Sequence, residues 1–69
     1  MQQPTHAQPK LLYTADQAAA MLEMSRSEIY REMARKRLIG IRIGRSRRFS
    51  HAELVRYVEE KYAAATAGA

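Results

Sequence analysis

The chain has no cysteine, no tryptophan, three glycines, two prolines and a single phenylalanine among its 69 residues. Without cysteine, neither a disulfide framework nor a thiolate metal site can hold so small a domain together. That lack fits a reducing compartment, although it is compatible with others. No apolar run comes near the roughly 18 residues of a membrane span. Residues 1–10 are polar and proline-bearing, without the apolar core of a signal peptide. A single cytoplasmic domain is the expectation, and at this length only about 60% of the unfolded chain's surface is buried on folding. Glycine-rich phosphate loops, metal-ligand spacings and nucleophile motifs are also missing. His6 lies in the polar start and His51 in the first turn of a predicted helix, where a surface role is expected. Nothing here points to catalysis, a metal or a cofactor.

Negative charge is scarce in one place. The net charge is +5, but nine of the twelve basic residues stand between Arg26 and Arg48, opposed only by Glu28 and Glu32. That segment carries +7 and the remainder −2. Folding offers no reason to gather repelling charge in this way, whereas a polyanionic partner does. A merely solvated face would mix its signs.

Three stretches match the capping box, in which a hydroxyl accepts from an early helical amide and a Glu or Gln reaches back. They run Thr14 to Gln17, Ser25 to Glu28 and Ser50 to Glu53. Met24 with Ile29, and Phe49 with Leu54, have the spacing of hydrophobic staples. The spacing predicts helices over 15–22, 26–37 and 51–62. The first should bury Ala18, Met21 and Leu22, the second Ile29 and Met33, the third Leu54, Tyr57 and Val58. Glu32 and Lys36 are expected to form an i, i+4 pair that stabilises the helix. Between the last two helices the period changes. Ile39, Ile41 and Ile43 alternate, Gly44-Arg45-Ser46 turns, and Arg47-Arg48-Phe49 returns, which spells a two-stranded hairpin. A lone hairpin is marginal in water, so it should lean on the helices through its isoleucines and Phe49. The predicted fold is mainly α with a small β-hairpin, a winged helix-turn-helix over 11–62. Residues 1–10 are expected to be a flexible tail and 63–69 a frayed one.

The three-residue link Glu23-Met24-Ser25 suits a helix-turn-helix crossing, whose second helix enters the major groove of DNA. With Ile29 and Met33 inward, Ser27, Arg31, Ala34 and Arg35 point outward. Arg31 is the candidate for a guanine contact, because a guanidinium bonds O6 and N7 together. Ser25, Arg26 and Ser27 at the helix start suit phosphate. Tyr30 is either a packing residue or a phosphate contact. Arg37 has the position of a cation favoured by the helix C-terminus. The hairpin tip, with Arg42, Arg45, Ser46, Arg47 and Arg48, would be a wing over the minor groove or backbone, where arginine is favoured.

The stretch Leu12 to Ala19, the Ser25-Arg26-Ser27-Glu28-Ile29-Tyr30-Arg31 run, and Ile41-Arg42-Ile43-Gly44-Arg45 with Arg48-Phe49 resemble an excisionase-type, MerR-like winged helix-turn-helix domain. The resemblance spans Leu11 to Tyr62. It departs at Glu23 and Arg37, where the family often has glycine; a positive φ at either would cost about 1 kcal/mol. It implies a non-catalytic protein of a phage or integrated element. Such a protein binds direct repeats near an attachment site, bends the DNA and turns an integrase toward excision. The implied partners are double-stranded DNA, a site-specific integrase and further copies side by side. A small helix-turn-helix repressor is the competing expectation. A full MerR-type regulator adds a long dimerisation helix and an effector domain, and a chain ending at Ala69 is expected to carry neither. A protein–protein adaptor would need an exposed apolar patch, and the isoleucines are expected to be taken up by the core.

Overall fold

Two helices begin where their capping signals place them. The Thr14 hydroxyl accepts from the Gln17 amide at 3.1 Å while Gln17 Oε1 accepts from the Thr14 amide at 2.9 Å. Ser25 and Glu28 repeat the arrangement at 3.1 and 2.8 Å. The structure is a computed structural model that describes residues 10–67. Its elements are β1 Leu12–Thr14, α1 Ala15–Leu22, α2 Arg26–Ala34, β2 Ile41–Ile43, β3 Ser46–Ser50 and α3 His51–Ala67. All but the last residue of the expected N-terminal tail, His6 included, lies outside the described residues. At the other end, α3 continues through 63–67, the alanine-rich stretch expected to fray, since alanine is the best helix former. The third capping box closes only halfway. Ser50 accepts from the Glu53 amide at 3.0 Å, but the Glu53 carboxylate turns to other partners.

The end of α2 also differs from expectation. α2 stops at Ala34, three residues before Arg37, because Lys36 adopts φ 62° and turns the chain. The Arg37 amide then reaches the Glu32 carbonyl at 2.9 Å and the Lys36 amide that of Met33 at 2.9 Å, the bond pair of a Schellman end. α1 ends the same way. Glu23 has φ 55°, the Met24 amide meets the Ala19 carbonyl at 2.9 Å, and the Glu23 amide meets that of Ala20 at 3.3 Å. The left-handed positions are therefore Glu23 and Lys36, not Arg37.

The sheet has three antiparallel strands in the order β1-β3-β2, one more than the predicted hairpin. Tyr13 pairs with Phe49, Thr14 with Arg48 and Arg42 with Arg47. Side chains alternate across a strand, so Tyr13, Phe49, Arg47 and Arg42 share the face toward the helices. Leu12, Thr14, Arg48, Ile41 and Ile43 share the outer one. Phe49, Ile29 and Leu38 are fully buried at the centre of the core, with Tyr13, Ala15, Ala18, Ala19, Leu54 and Tyr57 around them.

This register overturns the expectation for the isoleucines. Ile41 and Ile43 pair with Arg48 and Ser46, which lie on the face of β3 opposite Phe49, and each is 49% exposed. Ile39 is likewise half exposed, and Leu38 takes the core position instead. Met21, expected inside, is 51% exposed and lines an open apolar groove with Leu54, Val55 and Val58 of α3. Leu22, Met24, Met33 and Val58 pack at the margin.

Candidate nucleic-acid interface

The tight turn after Glu23 lays α2 across α1, and the wheel of α2 then decides what faces solvent. Ile29 and Glu32 are buried and Met33 half-buried. Ser27, Arg31, Ala34 and Arg35, the set expected outward from helical spacing, are exposed, and so are Arg26 and the flanking Glu28 and Tyr30. Ser25 is exposed at the N-cap. Its hydroxyl and amide both engage Glu28, whose carboxyl is held below the usual carboxylate range chiefly by that amide bond. Arg26 sits 5.7 Å from the Tyr30 ring centroid and 3.4 Å from the Asp16 carboxylate. Tyr30, and after it Asp16, raise the Arg26 pKa above its ordinary value.

Glu32 does not pair with Lys36. The left-handed turn carries Lys36 away, and the carboxylate is buried under α3. There it accepts from the Tyr57 hydroxyl at 2.9 Å and lies 3.4 Å from Lys61, 3.5 Å from Arg35 and 3.8 Å from Arg37. Two of the basic residues counted toward the partner surface, Arg35 and Arg37, are thus partly matched inside the protein. Arg31, Arg42, Arg45, Arg47 and Arg48 make no ion pair among the described residues.

The wing turns at Gly44 and Arg45. Gly44 has φ 62°, while Arg45 stays outside the left-handed region, the sign pattern of a type II′ hairpin with glycine first. Arg42 Nε donates to the Gly44 carbonyl at 3.3 Å. On the inner face Arg47 lines a groove of about 280 Å³ with Tyr30, Met33 and Ala34 of α2. A second cleft, about 200 Å³, is lined by Arg26, Tyr30, Arg45, Ser46 and Arg47 together with Thr14, Ala15 and Asp16. The fold therefore brings Arg26, Tyr30, Arg45, Ser46 and Arg47 to one place, beside Ser25, Ser27 and Arg31 on α2. Arg48 lies on the opposite face of the wing, half-buried with its Nε enclosed.

One contact that positions this surface was not foreseen. Arg56 on α3 forms a two-pronged bond to Glu53 at 2.9 and 2.6 Å and also donates to the Arg37 carbonyl at 2.9 Å. Glu53 Oε2, the oxygen that takes the 2.6 Å bond, also accepts the Ile39 amide at 2.8 Å. The pair clasps the segment between α2 and the wing, fixing one against the other. Arg56, and secondarily the Ile39 amide, hold the Glu53 carboxyl below the usual range against the opposing pull of burial. The i, i+3 spacing of Glu53 and Arg56 could have flagged the pair, but not its reach across to the linker.

Among the described residues there is no cluster of His, Asp or Glu that could hold a metal, and no helix long and apolar enough to cross a membrane. Two helices crossed over a tight turn, an exposed basic face on the second, a basic hairpin and a closing helix define a helix-turn-helix architecture with a wing. A family model described as a helix-turn-helix domain matches residues 12–62, and the chain belongs to that DNA-binding family, which includes excisionase-like proteins. Membership of that family marks it as a sequence-specific DNA-binding domain. No curated protein and no solved structure gives a significant match.

Proposed function

We propose that this chain is an excisionase-type directionality factor of a phage or integrated element, acting on DNA in the host cytoplasm. The observation that carries the DNA-binding geometry is the shared basic surface of α2 and the wing, where Arg26, Arg45 and Arg47 converge. In this reading α2 enters the major groove and Arg31 reads a guanine. Ser25 and Ser27 hold phosphates at the helix start. The wing lies along the adjacent minor groove or backbone, with Arg42 and Arg48 reaching the flanking phosphates and Arg35 a secondary contact. The step to excisionase rests on the resemblance over 11–62, and it brings an integrase and side-by-side copies as partners.

Two measurements test the reading. Arg31→Ala should lower affinity and relax preference at one base position, whereas Arg45→Ala should weaken all duplexes alike. Equal losses on selected and scrambled duplexes for both variants would sink the assignment of roles. An in vitro excision reaction with the integrase encoded beside this reading frame should depend on the protein. Tight operator binding with no effect on excision would make it a repressor instead.

A further inference from the structure

We propose that the cleft between the start of α1, α2 and the wing seats one backbone phosphate of the duplex, and that Asp16 is a resident competitor for that place. The inference rests on the DNA-binding reading above and adds a site and a governor to it. Three guanidinium-bearing residues reach the cleft from three separate segments: Arg26 from the start of α2, Arg45 from the turn, Arg47 from β3. Ser46 and Tyr30, both hydroxyl-bearing, line the same cleft. At about 200 Å³ the space exceeds that of several waters at about 30 Å³ each, which is room for a tetrahedral phosphodiester. Arg45 and Arg47 have no carboxylate partner among the described residues.

Among the described residues, Asp16 is the sole acidic one lining the cleft. Its carboxylate stands 3.4 Å from Arg26, with 71% of the Asp16 side chain and 63% of the Arg26 side chain exposed. An exposed pair of this kind is held weakly, so a phosphate, with more acceptor oxygens in a site of three arginines, displaces it. Once displaced, Asp16 stays on the first turn of α1 as a like charge beside the phosphate. Its repulsion acts on the backbone, which is the same for every sequence. Asp16 therefore sets the level of affinity and its salt dependence and leaves base preference to α2.

The test uses the full chain, a 20-base-pair duplex selected by binding from a random library, and a scrambled duplex of the same composition. Asp16→Asn should tighten both duplexes by the same factor. That factor should be roughly fivefold, the size of one close charge–charge interaction in water. The log–log salt slope should steepen by up to about 0.9, the value of one further neutralised phosphate. Glu59→Gln makes the same change in net charge on the exposed side of α3 and should change affinity less than twofold. Single neutral methylphosphonate linkages placed along the selected duplex locate the site: at one linkage the gain from Asp16→Asn should vanish. Steep, salt-dependent binding by the unaltered chain with no response to Asp16→Asn overturns the competitor while leaving DNA binding intact. A gain matched by Glu59→Gln, or one indifferent to every methylphosphonate position, overturns the seated phosphate. Failure of the unaltered chain to bind any duplex overturns both.

Discussion

The hydroxyl of Tyr57 on α3 donates a 2.9 Å hydrogen bond to the carboxylate of Glu32 on α2, and both side chains are buried. That bond ties the helix offered to DNA to the helix that closes the fold. It is also the largest cause holding the Glu32 carboxyl below the usual range, ahead of the opposing effect of burial and the help of Lys61. Tyr57 in turn is pushed up to about 12, first by burial and then by Glu32. Tyr57→Phe should destabilise the domain by about 1.5–3 kcal/mol, the range for a hydrogen bond to a charged group. A folded-state carboxyl with a depressed pKa contributes stability above its unfolded value, about 4.3, and loses it as pH falls through the folded value. Tyrosine has the opposite sign, so its contribution is complete below pH 10 and declines as pH rises through about 12. Urea unfolding across this range should show both limbs. The acid limb should flatten in Glu32→Gln and the alkaline limb disappear in Tyr57→Phe. Limbs unchanged in the two variants would remove the pair from the account.

Glu23 and Lys36 end their helices at φ 55° and 62°, and each leaves its orphan carbonyls satisfied by Schellman bonds. The geometry is therefore required and the residue is the wrong one for it, since a Cβ is disfavoured in the left-handed region. Glu23→Gly and Lys36→Gly should each stabilise the domain by about 0.5–1 kcal/mol. That corresponds to several degrees in melting temperature for a chain of this size. The sites share no bond, so the gains should add in the double variant. A loss of stability on either substitution would contradict the left-handed assignment.

What could be read in advance was local. The boxes at Thr14 and Ser25 close within one turn, and the outward set on α2 follows from helical spacing alone. Ile41 and Ile43 are expected inside and lie outside, because alternation defines two faces without saying which is buried. The pairing of Tyr13 with Phe49 decides that, and β1 is too short for any period to announce it. Spacing offers Glu32 the neighbour four residues on, but its main partner, Tyr57, comes from α3, which is distant in sequence and near only in the fold. The site shows the same division. Charge density marked the segment from Arg26 to Arg48, while the meeting of Arg26 with Arg45 and Arg47 depends on how the wing folds back over α2. That angle is set partly by the Glu53–Arg56 clasp on Arg37 and Ile39.

Gly40 sits where the chain enters the wing. A Cβ there would stand 2.9 Å from Phe49 Cε1, 3.2 Å from Phe49 Cζ and 3.2 Å from Met33 Cε. Met33 is flexible and can give way; the Phe49 ring is fully buried and cannot. Gly40→Ala should therefore destabilise by about 1–3 kcal/mol through overpacking. Phe49→Leu costs core contacts by itself, yet in combination with Gly40→Ala the two losses should sum to less than their separate values. A double-mutant cycle checks this, and strict additivity would show that the ring is not the obstacle.

Arg42 and Arg47 stand directly opposite each other across the wing, and neither has an ion-pair partner among the described residues. Like charges at such positions destabilise a strand pair by about 0.2–1 kcal/mol. The free protein carries that repulsion, and a bound polyanion relieves it. Arg47→Gln should accordingly make the free domain more stable and the complex weaker. Raising the salt concentration should stabilise the unaltered chain by screening the pair, with a smaller response in the variant. On duplex DNA the variant's log–log salt slope should be shallower by about 0.9. Melting curves at low and high salt, with and without duplex, separate the two effects. A variant less stable than the original at low salt would mean that Arg47 holds the wing by packing. Repulsion across the pair would then have no part in its energetics.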